Sequence, residues 1–424
     1  MLSIVLSTTT VTTADSSTSR QLEDAAQLLA DGRPNAAINT LEAVAQAEPD
    51  NPWMLFYRGS AHVMLGNAQQ AVDDYDHALK VLEDYGNPDP EFTARIRRHR
   101  RHARRSLFNV SIESGLAYDT NVTFLGDDAA GTFDVISGQA DEKFATRVQL
   151  DASILSDRDQ TLAAGLRLGQ AWHFSVDEFD FQDYGGYARY TRRLTSDIEA
   201  ELRYDYDFTL LGRDSFLSLH ALTPSVSYNW RPTDNTFGPD RTRAFYQFQA
   251  RDFLFDTTPV FDRDGVGHAI GVEQSFDLTP LPAWNWELTL GYRFGSIATR
   301  GSEFDRLTHD LLFGLAIPIL NPAEPTEYLI LPDKELMFRF NTDLHWADYR
   351  NPSTIDAQRD NRRDFTPVYN WAVSQKLVED PRIGDITLHG IIQWTNATST
   401  VNIGDVEPFT YSQIIYGLQL AWQW

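Results

Sequence analysis

From Leu107 to the last residue, apolar and polar side chains alternate in runs of about 10–13 residues, which restricts what the chain can fold into. In "DIEAELRYDYDF" (197–208), Ile198, Ala200, Leu202, Tyr204, Tyr206 and Phe208 share one face, and Glu199, Glu201, Arg203, Asp205 and Asp207 share the other. "WNWELTLGYRF" (284–294) repeats the pattern with Trp284, Trp286, Leu288, Leu290, Tyr292 and Phe294. A period of two belongs to strands, and these runs exceed the ~5–6 residues of a typical globular strand. Roughly 14 of them can be counted. The runs near 216–230 and 364–377 are the weakest, because each holds a proline, Pro224 or Pro367.

Aromatic residues stand near both ends of many apolar faces. That is the pattern of a barrel in lipid, with an apolar outer band, aromatic girdles and a polar interior. The sheet must close, because lipid cannot satisfy an open edge. The expected fold is mainly β: residues 107–424 form an outer-membrane β-barrel of about 14 antiparallel strands, preceded by a small α-helical domain. With that domain in the periplasm, the outer loops 120–142, 175–181, 254–264, 296–304, 347–363 and 398–409 are long or medium. The inner loops 156–159, 195–196, 279–283 and 378–382 are tight, and 231–241 and 318–334 break the rule.

The front of the chain has a different period. "LLADGRPNAAINTLEAVAQAEP" (28–49) and "HVMLGNAQQAVDDYDHALKVLE" (62–83) place Gly32 and Gly66, Ala37 and Ala71, Leu41 and Tyr75, and Val44 and Ala78 each 34 apart. Gly59 falls where two antiparallel helices cross, and Ala25 takes that place in the first copy. The register resembles the tetratricopeptide repeat, whose period is 34. Residues 20–106 are therefore expected to be helical repeats with packing positions Gly32, Ala37, Gly59, Gly66, Ala71 and Ala78. An Arg-rich helix caps them, with Ile96, Ala103 and Leu107 as its apolar stripe. Its Arg97, Arg98, Arg101, Arg104 and Arg105 either form a solvated face or contact an anionic partner. Residues 1–19 are expected to be a disordered start or a weak or truncated signal.

Composition removes whole classes of chemistry. Cysteine is absent, so thiol catalysis, disulfides and Cys-based zinc sites are excluded. A net charge of −24 argues against a nucleic-acid partner. No phosphate-binding glycine loop, His-Glu-x-x-His or Gly-x-Ser-x-Gly motif is present, so neither an enzyme nor a cofactor is expected. A lipid-modifying barrel with Ser, His and Asp assembled across strands stays open. Asp177, Glu178, Asp180 and Asp183 form a weak candidate for a calcium loop, with a solvated acidic loop as the alternative. Residues 1–106 carry a net of −3, which leaves −21 for the remainder, so an acidic lumen is expected.

The last residues, "TYSQIIYGLQLAWQW" (410–424), end on alternating aromatics. They resemble the C-terminal signal by which outer-membrane proteins are recognised by the barrel-assembly machinery, carried here by Tyr416, Gly417, Trp422 and Trp424. Gln419 stands where a glycine is usual, and Gly417 is shifted by two. The order of parts, repeats and then barrel, resembles surface lipoprotein assembly modifiers. "GLAYDTNVTFLG" (115–126) resembles their Tyr-Asp-Ser-Asn-Val element. That resemblance implies a monomeric barrel in outer-membrane lipid that moves a lipoprotein cargo outward. Exopolysaccharide export porins, with a polysaccharide cargo, share the architecture and remain the second choice, beside a passive pore.

Overall fold

The computed structural model describes residues 16–30, 33–65, 67–84, 89–122, 139–156, 159–195, 197–230, 238–254, 259–277, 286–320, 336–354, 360–380, 383–401, 407 and 409–424. The helical unit comprises α1 (Ser16–Ala30), α2 (Pro34–Ala47), α3 (Pro52–Met64), α4 (Ala68–Asp84) and α5 (Pro90–Leu107). Proline opens α2, α3 and α5, where the missing N–H costs nothing. Asn51 and Asp89 cap α3 and α5: Asn51 Oδ1 accepts from Trp53 N at 3.0 Å, and Asp89 Oδ1 from Glu91 N at 2.9 Å.

The core of this unit lies between the helices. Leu41, Val44, Met54, Leu55, Tyr75 and Ile96 are fully buried in it. Ala37, Ala71 and Ala78 are buried at the spacing the repeat sets, as is Ala25. At Gly59 a Cβ would lie 2.8 Å from the Tyr75 ring, so only glycine lets α3 and α4 cross this closely. Gly32 and Gly66 lie outside the described residues. Ser16–Ser19, the end of the stretch expected to be a disordered start or a weak or truncated signal, form the first turn of α1. Thr18 is buried there, and its Oγ1 donates to Glu48 Oε1 at 3.1 Å, which ties that turn to the end of α2.

The second unit is a closed barrel of 14 strands, each paired with its sequence neighbours, with the last closing on the first. They are β1 (Phe108–Asp119), β2 (Asp141–Ser156), β3 (Gln160–His173), β4 (Phe181–Arg193), β5 (Ile198–Leu211), β6 (Asp214–Asn229) and β7 (Gly238–Phe253). The second half is β8 (Gly265–Asp277), β9 (Glu287–Thr299), β10 (Arg306–Leu320), β11 (Leu336–Pro352), β12 (Asn361–Asp380), β13 (Gly384–Ser399) and β14 (Tyr411–Gln423). β10 and β11, on either side of the connection 318–334 that broke the loop rule, pair antiparallel with each other, and residues 321–335 lie outside the described residues. One connection beside the long loops is tight: Gly212 and Arg213 both take positive φ, 55° and 78°, and turn β5 into β6.

The two proline-bearing runs are full strands. Pro224 pairs with Leu202 on β5, while the ladder to β7 skips from Leu222 to Ser225. Pro367 pairs with Leu344 on β11, while the ladder to β13 skips from Phe365 to Val368. Each proline thus interrupts one ladder and leaves the other intact.

Register decides which face meets which solvent. Tyr416 pairs with Ile392, Ile414 with Trp394, and Trp394 with Tyr369, so apolar residues continue apolar rows from strand to strand. Leu116, Leu166, Leu202, Ile270, Leu311 and Leu418 on these rows are exposed. A soluble domain does not expose an apolar surface all round its sheet, and a bilayer requires one. Among the described residues no helix is long and apolar enough to cross a membrane.

Candidate functional site

The interleaved residues face the lumen and carry the chemistry. On one side they form a ladder of ion pairs. Arg167 Nη2 donates to Asp207 Oδ1 at 2.6 Å, and Arg203 Nη2 to Asp205 Oδ1 at 2.7 Å. Toward β7 and β8, Arg243 lies 3.5 Å from Glu201 and 3.3 Å from Glu273, and Arg241 lies 3.3 Å from Glu199. Within this ladder the acidic lumen expected from net charge is locally balanced, since Glu199, Glu201, Asp205 and Asp207 each face a guanidinium. Alternation put basic residues on the same inward rows as the acids, which a sum over the chain does not register.

A second cluster sits across β7, β9, β10 and β11. Buried Asp310 accepts from Arg293 Nε at 2.8 Å and lies 2.5 Å from His345 Nδ1. These groups line a polar recess of about 120 Å³ together with Gln249, Arg251 and Arg306. Arg251 donates to Gln249 Oε1 at 2.6 Å, and the Arg306 guanidinium lies 5.7 Å from the Tyr349 ring centre. Among the described residues neither has a carboxylate partner, so the recess carries unbalanced positive charge. A wider recess of about 390 Å³ is lined by Glu287, Thr289, Arg339, Asn341 and Asp343.

The seam where the barrel closes is also polar and buried. Asp119, at the end of β1, accepts from Gln413 Nε2 on β14 at 2.8 Å and from Lys143 Nζ on β2 at 3.0 Å. Its other contact is the Asn121 backbone N–H at 3.0 Å, and the Asn121 carbonyl accepts from Gln413 Nε2 at 2.9 Å. The Tyr118–Val122 stretch therefore acts as a clasp across three strands. Elsewhere on the barrel, Glu303 is buried and accepts from Ser353 Oγ at 2.6 Å and Thr354 N at 2.9 Å, which joins the segments after β9 and β11.

The terminal aromatics complete the seam at its other end. Trp424 and Val110 exchange backbone hydrogen bonds at 2.9 and 3.1 Å, and Trp422 Nε1 donates to the Ile383 carbonyl at 2.5 Å. Tyr416 lies 5.4 Å from Tyr118, ring to ring. A Cβ on Gly417 would run into the backbone of Leu116 and Ala117, so the glycine permits close approach of β14 to β1.

The acidic loop residues are not brought together. Asp177 and Glu178 lie in a 3-10 turn, Asp180 accepts from His173 N at 2.7 Å, and Asp183 faces the lumen on β4. Among the described residues no three His, Asp or Glu are placed to hold a metal ion. Ser374 Oγ and His389 Nδ1 are 2.7 Å apart in the lumen, a nucleophile-and-base spacing. Among the described residues no carboxylate holds the second ring nitrogen, so the third member of a triad is not in place.

In the helical unit, α5 turns Phe92, Ile96 and Ala103 inward, with Leu107 packed beside them. His99 lies on the same side, 5.0 Å from Phe56, and burial pushes its pKa down to about 4, with Arg95, His102 and Arg98 adding to the shift. Arg97, Arg98 and Arg104 are exposed on the other side, and Arg101 is half-buried. Arg100, which the sequence did not single out, pairs with Asp76 of α4. The Arg105 side chain lies outside the described residues.

A protein-family model described as "Tetratricopeptide repeat" matches residues 28–98. No curated protein matches the chain. Among solved structures, CdiB from Acinetobacter baumannii is similar at 9% identity and a TM-score of 0.35, covering 74% of this chain and 60% of its own. An anion-selective porin from Comamonas acidovorans is similar at 9% identity and a TM-score of 0.36, covering 75% of this chain and 98% of its own. A structure titled "Bacterial polysaccharide outer membrane secretin" is similar at 9% identity and a TM-score of 0.35, covering 74% of this chain and 98% of its own.

Proposed function

We propose that this chain is a bacterial outer-membrane translocation or assembly protein whose periplasmic repeats receive a cargo that the barrel passes or displays at the surface. The observation that carries the reading is the joint between the parts. α5 ends at Leu107 and β1 begins at Phe108, so a peptide-binding type of helical repeat runs without a linker into the first strand of a polar-lumened barrel. The exposed arginines Arg97, Arg98 and Arg104 offer an anionic cargo or lipid headgroup its contacts. Tyr416, Gly417, Trp422 and Trp424 are the groups that the barrel-assembly machinery reads, and the barrel works as a monomer.

Lipoprotein translocation, the role of the surface lipoprotein assembly modifiers, is the first form of this reading. Removing residues 20–90 tests it. The truncated chain is expected to retain a barrel that migrates differently before and after boiling, and to lose protease-accessible cargo lipoprotein at the cell surface. Equal surface exposure of every candidate lipoprotein in both strains discards the translocator. The unpaired Arg251 and Arg306 of the lumen favour a second form, export of an anionic polysaccharide.

A further inference from the structure

Three histidines on the lipid-facing rows repeat one arrangement. His220 on β6, His268 on β8 and His309 on β10 pair directly with Tyr206, Phe248 and Phe294 on the preceding strands. Each ring lies 4.9, 5.4 and 5.0 Å, respectively, from that aromatic. In each case the tyrosine two residues earlier, Tyr204, Tyr246 or Tyr292, bonds through its hydroxyl to Nδ1, at 2.8, 2.6 and 2.8 Å.

The register places the three rings at one height. Across β7, His220 faces Ala250, and Ala250 faces Val266; His268 lies two residues farther along β8. Across β9, His268 faces Ser296, and Ser296 faces Leu307; His309 again lies two residues farther along β10. Barrel strands tilt, so an equal stagger of the same sign keeps successive sites level. Strand spacing and rise per residue put neighbouring rings roughly 12 Å apart. Below the row are Leu222, Ile270 and Leu311, all exposed. Toward the Gly212–Arg213 turn the next outward residues are mixed, Ser218 on β6 and Asp252 on β7 but Val266 and Leu307 on β8 and β10. The tyrosine and histidine rings of the row, apolar in body and polar at the tip, are of the kind that collects at an edge of the hydrocarbon band, where headgroups begin.

In the tautomer in which the tyrosine hydroxyl donates to Nδ1, the ring N–H is on Nε2. Among the described residues nothing accepts it. We propose that this row docks the headgroup of a bisphosphorylated glycolipid, two phosphates on a disaccharide, with neighbouring Nε2–H groups donating to its two phosphates. A single-phosphate glycerolipid fills one position only, whereas the repeat offers adjacent ones. Assigning the site to the outer leaflet rests on the orientation proposed above.

The test uses full-length protein in detergent and titrates diphosphoryl lipid A, monophosphoryl lipid A, phosphatidylglycerol and inorganic phosphate. Diphosphoryl lipid A is expected to bind most tightly. The combined His220→Gln, His268→Gln and His309→Gln variant is expected to weaken it by about tenfold or more. Tyr204→Phe, Tyr246→Phe and Tyr292→Phe together are expected to weaken it less, by freeing the rings without removing them. Where the triple histidine variant loses its heat-modifiable migration, His268→Gln, the middle of the row, replaces it and is expected to cost severalfold. Unchanged affinity in the histidine variants, or equal binding of phosphatidylglycerol or inorganic phosphate, overturns the proposal. Cargo exposure is not read in this assay, so either idea fails without the other.

Discussion

Asp119 and Gln413 lie 294 residues apart in the chain and 2.8 Å apart in the fold, where their hydrogen bond joins the first strand to the last. Lys143 adds a charge-assisted contact from β2, so one buried carboxylate holds three strands at the closing seam. Asp119→Ala leaves Lys143 and Gln413 facing a void and is expected to destabilise the folded barrel by about 3 kcal/mol. Asp119→Asn keeps an acceptor and is expected to cost less. The fraction folded against urea, read by heat-modifiable migration, gives both values. Equal midpoints for Asp119→Ala and the unmodified protein would remove the clasp.

Deleting Trp422 and Trp424 is expected to lower barrel yield far more than deleting loop residues 123–138. The tail removes the backbone pairing of Trp424 with Val110 and the Trp422 bond to Ile383, together with the proposed recognition element. The deleted chain is expected in the periplasm, or degraded there. Similar membrane yields for the two deletions would leave the tail as ordinary lipid-facing surface.

What could be read from the sequence divides along physical lines. Strands such as Ile198–Leu211 were legible because lipid on one face and water on the other impose a local period of two. The Gly59 crossing was legible because that glycine stands seven residues before Gly66 in the register of the repeat. The partner of Asp119 was not, since β14 meets β1 only once the register of the whole barrel is set. For the same reason total charge does not reveal the local balance of the lumen: pairing of Arg167 with Asp207 and Arg243 with Glu273 depends on strand order. The Tyr-x-aromatic pairs at 204, 246 and 292 and the histidines that follow them were visible in the sequence. Their contact needed the pairing of neighbouring strands.

The helical unit is expected to lose stability in acid. His99 has its pKa lowered from 6.5 to about 4, chiefly by burial, and burial also lowers that of His62. Between those two values the unfolded chain takes up a proton at His99 that the folded one refuses. Stability is therefore intact above about pH 6.5 and falls as pH drops toward 4, by about 3 kcal/mol for His99 alone. Thermal melts of the helical signal at pH 7 and pH 4.5 check this, with His99→Leu expected to flatten the dependence. Identical shifts in the two proteins would assign the acid loss to other groups.

The final prediction concerns what the lumen admits. Arg251 and Arg306 line the same recess, and among the described residues neither faces a carboxylate. The nearby Asp310 already answers Arg293 and His345. A low-dielectric wall strengthens the field of the two unpaired guanidiniums, so anions are expected to concentrate at this level of the lumen. In planar bilayers at low salt, Arg251→Gln with Arg306→Gln is expected to shift the reversal potential toward cation preference. Raising salt is expected to shrink the difference as screening lengths shorten. Asp205→Asn, which frees Arg203 in the opposing ladder, is expected to shift selectivity the other way. If all three proteins give the same reversal potential, ions do not pass these residues, and the polysaccharide-export form of the function loses its support.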